Sequence, residues 1–110
     1  MAQTYTLTCT PEAAAQRIRD AIEGRYFTGE LIDSYRIGGR DKTCMVLVFE
    51  RHSARVGNRM TLTVTLDNLS GVTRVHTAGG GGGEGLLGFD WGAADRFERG
   101  AIDALRDVMQ

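Results

Sequence analysis

With 110 residues, an apolar share of 42% and a net charge of −1, the chain has the composition of one soluble globular domain spanning 1–110, not of a disordered segment. The near-neutral balance supplies no positive field to draw in nucleic acid or an anionic membrane. No apolar run approaches the roughly 20 residues that cross a bilayer.

The opening stretch MAQTYTLTCTPE lacks the basic-then-apolar order of a secretory signal, so a cytoplasmic setting is expected. Within it, TYTLTCT alternates strictly, Tyr5, Leu7 and Cys9 against Thr4, Thr6 and Thr8, the pattern of a half-buried strand. TPEAAAQRIRDAIEG follows as a helix with its punctuation in place. Thr10 is the cap, Pro11 suits the first helical position, and Glu12 complements the positive end of the dipole. Ala14, Ile18, Ala21 and Ile22 form one apolar stripe, and Gly24 fits the position just past the end.

Four further strands are predicted. ELIDSYRIG places Leu31, Tyr35 and Ile37 on one side with Asp33 among them. After the turn GGRDK, TCMVLVFE is apolar on both faces, Met45, Leu47 and Phe49 against Cys44, Val46 and Val48. Such a strand is covered on both sides or meets a partner. RMTLTVTLD puts Met60, Leu62, Val64 and Leu66 inside and Arg59, Thr61, Thr63 and Thr65 outside. NLSG turns the chain, and VTRVHTA returns as the fifth strand.

Five consecutive glycines, Gly79–Gly83, then open a glycine-rich loop predicted over 78–89. Gly80, Gly82 and Gly85 satisfy G-x-G-x-x-G, but the dinucleotide fingerprint requires a second, parallel strand after the helix, and here only one helix follows. No Gly-Lys-Ser/Thr completes a Walker loop, and Glu84 and Asp90 stand where a phosphate would bind. The loop therefore reads as a joint with an apolar clasp made of Leu86, Leu87, Phe89 and Trp91. Asp90 caps the last helix, whose stripe is Ala94, Phe97, Ala101, Leu105 and Val108, with Gly100 inside it.

The order β-α-β-β-β-β-α excludes a doubly wound parallel sheet. It predicts an α+β two-layer sandwich, a five-stranded, mainly antiparallel sheet with two helices on one face. This order resembles the TATA-box-binding-protein-like fold along the whole chain. That resemblance implies a topology and brings no functional residues with it. The glycine run, Phe89-Asp90-Trp91-Gly92 and Phe97 also resemble the tail of an uncharacterised family of short bacterial proteins. It implies a compact bacterial domain and no particular activity.

The residues with useful chemistry are His52, His76, Cys9, Cys44, Asp33, Glu50 and Asp90. No H-x-x-x-H or C-x-x-C spacing occurs, so neither metal nor cofactor is expected. No catalytic residue is assigned; an enzyme would need His52 and His76 to share a point near their strand ends. The threonines of the first and fourth strands are expected to line an open sheet face. Met45, Leu47 and Phe49, or their strand neighbours, would form a stripe there flanked by Arg36, Arg59 and Arg74. The favoured function is a protein-interaction or self-associating module whose contacts are that face, the clasp Leu86, Leu87, Phe89 and Trp91, and His76. The expected partner is a second copy or another protein, not nucleic acid or membrane. The alternative is an apolar-ligand binder with a cavity lined by Val46, Leu62, Phe97 and Leu105.

Overall fold

The computed structural model describes residues 2–24, 29–53, 58–81 and 91–110. Strand β1 (Ala2–Leu7) leads to helix α1 (Pro11–Glu23), then β2 (Glu30–Gly38), β3 (Thr43–Ser53), β4 (Asn58–Asp67), β5 (Thr73–Gly81) and helix α2 (Trp91–Asp103), with a short 3-10 turn at Arg106–Val108. The five strands form one antiparallel sheet in the order β1-β5-β4-β3-β2. β2 to β5 is a meander. α1 carries the chain across the sheet, so β1 and β2 become its two edges. α1 packs over β2, β3 and β4, α2 over β4 and β5, and the helices touch each other. This is the α+β sandwich expected from the element order, with a sheet covered on one face.

Local chemistry explains the boundaries. Thr10 accepts a hydrogen bond from Ala13 N at 3.1 Å, satisfying one of the orphan amides that open α1. Pro11, Ala14, Ala15, Ile18 and Ile22 are its buried face; Ala15 takes the place expected for Ala21, which is half-buried. Gly38 turns the chain out of β2 at φ +108, where an added Cβ would strike the Lys42 carbonyl. β1 ends at Leu7, so Cys9 lies in the connection to α1, where it packs against the core.

The core lies between the sheet and the helices. Leu7, Ile18, Leu47, Phe49, Leu62, Val64, Leu66, Val75 and Leu105 are each at most 1% exposed. Met45 packs against this cluster and is half-buried. The both-sided apolar pattern of β3 is thereby resolved: Met45, Leu47 and Phe49 point at the helices, and Cys44, Val46 and Val48 point away from them. Met45, Leu47 and Phe49 are therefore core residues and not the contact stripe.

Two expectations for the strands are corrected. β5 continues through Gly79, Gly80 and Gly81, which pair with Leu62, Thr61 and Met60 of β4. The strand thus takes in the start of the segment expected to loop; 82–89 lie outside the described residues, as does the Asp90 cap. In β2 the register with β3 shifts between Leu31 and Asp33. This bulge adds one residue and reverses the faces beyond it. Leu31 packs on the core, whereas Tyr35 and Ile37 stand on the opposite face, 58% and 53% exposed.

Candidate functional site

The face of the sheet away from the helices is the candidate site, and the strand register fixes its rows. From β1 to β2 the central row is Thr4, His76, Thr65, Val46 and Tyr35. On one side of it run Thr6, Arg74, Asp67, Cys44 and Ile37, on the other Ala2, Ala78, Thr63, Val48 and Asp33. The face divides along its width. The β1–β5 end is polar: Thr4 Oγ1 and His76 Nδ1 are 2.7 Å apart, and Arg74 donates to Asp67 at 3.2 Å. The β3–β2 end is apolar, with half-buried Cys44, Val46 and Val48 beside exposed Tyr35 and Ile37.

Of the three arginines expected to flank this face, Arg59 and Arg74 do so. Arg59 lies 3.7 Å from Glu50, a contact worth at most about 1 kcal/mol at the surface. Arg36 does not. It opposes Met45 on the helix side, where it reaches Glu12 of α1 at 2.6 Å and the Thr43 hydroxyl at 3.2 Å. The same bulge that turns Tyr35 outward turns Arg36 towards the helices.

The two histidines lie far apart along the sheet. His76 opposes Thr65 of β4, and His52, inside β3, opposes Arg59. Six residues of strand separate these positions, about 20 Å at roughly 3.4 Å per residue. A site shared by the two histidines is thus excluded by register. Cys9 packs on the helix side and Cys44 stands on the open face; both are free thiols. Val46 is likewise on the far side of the sheet from Leu62, Phe97 and Leu105, so these four residues do not wall one cavity. Leu86, Leu87 and Phe89 lie outside the described residues, as does the Trp91 side chain, although Trp91 opens α2. Among the described residues, no three His, Cys, Asp or Glu side chains come together as metal ligands, and no helix is long and apolar enough to cross a membrane.

One pair escaped the sequence reading. Glu98 of α2 is 1% exposed and Thr77 of β5 is fully buried. The Thr77 hydroxyl donates to Glu98 Oε2 at 2.6 Å, joining helix to strand through the core. Their positions carried the signal: Glu98 lies four residues after Ala94 and three before Ala101 on the buried stripe, and Thr77 shares the parity of Val75.

Comparison with known families adds one fact to this geometry. A model for a family of unknown function, DUF6054, matches residues 1–109. The chain belongs to the DUF6054 family. The match covers the sheet, both helices and the glycine-rich segment together, so the open face described above is a feature of the part that DUF6054 spans. No curated protein and no solved structure matches the chain.

Proposed function

We infer that this DUF6054 domain is a protein-interaction module that acts by associating with a second copy of itself at the β3–β2 end of its sheet, where the apolar part of the open face lies. The observation that carries this reading is the apolar end of the uncovered face. Tyr35 and Ile37 are exposed there side by side with Val46, Val48 and Cys44, on a sheet whose opposite face is fully supplied with helices. Apolar side chains clustered on one rigid surface lose water on association, which drives contact between proteins. Leu86, Leu87, Phe89 and Trp91 form a second contact element in this reading. A bacterial cytoplasmic setting accompanies it, since two free thiols suit a reducing compartment.

The test is sedimentation equilibrium over a range of concentrations, with Ile37→Glu as the comparison. The wild-type chain is expected to dimerise. Ile37→Glu, a change at a side chain 53% exposed, is expected to weaken the dimer at least tenfold and leave the circular dichroism spectrum unchanged. A chain that remains monomeric at the highest soluble concentration overturns the reading.

A further inference from the structure

We propose that the second copy joins edge to edge: β2 of one molecule pairs antiparallel with β2 of the other about a two-fold axis at Tyr35, making one continuous sheet of both. This rests on the self-association reading above and specifies its geometry. The two edges of the sheet are finished differently. At β1, Thr8 N donates to Val108 O at 2.7 Å and Gln110 N to Thr6 O at 3.0 Å, with an antiparallel bridge between Leu7 and Met109. The chain following α2 therefore covers the Thr6–Thr8 end of that edge and leaves only a short stretch of it free. At β2, every residue from Ile32 to Gly38 is exposed, and among the described residues the strand pairs with β3 alone. An edge of this length with unpaired amides and carbonyls is a template for another strand.

Charge favours a second copy as that strand. The first half of β2 carries Glu30 and Asp33; the turn beyond its other end carries Arg40 and Lys42 against Asp41, while Arg36 is already paired with Glu12 of α1. Antiparallel self-pairing lays the acidic end of each molecule along the basic end of the other, whereas parallel pairing would align like charges.

Symmetry then selects the register. Residues directly opposite in an antiparallel pair share a face, so a two-fold axis normal to the sheet must pass between one residue and its own copy. Placing Asp33 or Arg36 there sets like charges against each other, which is destabilising. Centring on Ile37, one residue before the strand ends at Gly38, pairs only its tip. Ser34 opposes Leu47 on the helix side and would put two small hydroxyls on the axis, and Ile32 lies in the bulge between Leu31 and Asp33, where the ladder is irregular. Tyr35 remains. It pairs residues 32–38 with their copies and brings two rings, each 58% exposed, together on the open face, an aromatic cross-strand pair of the kind that stabilises sheets. The apolar ends of both open faces then lie side by side, and the two Tyr35 rings shield each other from water.

Disulfide trapping tests this geometry. In a Cys9→Ser, Cys44→Ser background, Tyr35→Cys places two Cα atoms about 4.5–5.5 Å apart across the axis, within the span a disulfide accepts. Ile37→Cys, on the same face and equally exposed, leaves them about 13 Å apart at roughly 3.3 Å per residue. Under mild oxidation at a concentration where the chain is dimeric, Tyr35→Cys is expected to form a covalent dimer at least tenfold faster than Ile37→Cys or Ser34→Cys. Equal rates, or a faster Ser34→Cys reaction, overturn the proposed pairing while leaving self-association standing. A strictly monomeric chain overturns both. Should the double serine background fail to fold, the comparison is made with Cys9 kept and Cys44→Ser alone, because Cys44 opposes Ile37 and would capture a thiol placed there.

Discussion

At the scale of single residues, the most costly group to place among the described residues is the Glu98 carboxylate, 1% exposed among side chains that are otherwise uncharged. Taking such a group out of water costs several kcal/mol, roughly, unless polar partners replace the solvent. The Thr77 hydroxyl is one of those partners, at 2.6 Å. Thr77→Val keeps the volume and the β-branched shape while removing that donor, so it isolates the polar contribution. It is expected to lower stability by about 1–3 kcal/mol, the cost of depriving a buried acceptor of its partner. Thr63→Val makes the same chemical change on the half-buried open face, where the expected effect is within about 0.5 kcal/mol. Urea unfolding of both variants measures the difference. Similar losses at the two positions would show that β-strand propensity or packing, not the Glu98 contact, governs the Thr77 site.

At the scale of elements, Gly100 gives a matched test of helix physics. It lies within α2, and an added Cβ there meets nothing within 4 Å. No close approach requires the glycine, so Gly100→Ala is expected to raise stability by about 0.5–1 kcal/mol through helix propensity. Thermal and urea unfolding would reveal it; a loss would mean the site is filled. The elements also show which parts of the fold could be read in advance. The α1 limits followed from Thr10, Pro11 and Gly24, and the β4 faces from unbroken alternation, because each rests on contacts within a few residues. The extension of β5 through Gly79–Gly81 was hidden, since glycines have no side-chain pattern and the pairing partner, Met60–Leu62, is distant in sequence. The bulge at Leu31/Asp33 was hidden for a related reason: periodicity assumes a constant step, and one inserted residue reverses Tyr35, Arg36 and Ile37 together. The candidate site was therefore half legible. The threonine side followed from alternation, but the choice between Met45, Leu47, Phe49 and Cys44, Val46, Val48 depended on where the helices pack. Glu98 was available from its spacing on the apolar stripe, yet its charge argued for the surface.

At the scale of the whole molecule, the sheet order sets a gradient of protection that hydrogen exchange can read. β4 is the central strand, hydrogen-bonded by β3 on one side and β5 on the other, with Leu62, Val64 and Leu66 at zero exposure. Opening its amides requires separating strands on both flanks, so they are expected to exchange only through global unfolding. β5 and β1 close the sheet by joining residues such as Ala78 and Ala2, far apart in sequence, and the contacts of Val108–Gln110 with Thr6–Thr8 hold the end of that edge. Among the described residues β2 has ladder bonds on one side only, so in the monomer its amides directed away from β3 are expected to exchange faster than those of β3, β4 and β5. Edge-to-edge association predicts that this order depends on concentration. As the chain is brought from dilute to dimeric conditions, the outward amides between Ile32 and Gly38 should gain protection while those of β4 stay unchanged. The rise would belong to the outward set alone, because the inward set is already bonded to β3. If the dimer forms and those outward amides remain fast, the copies meet through the flat of the sheet and the β2 edge stays in water.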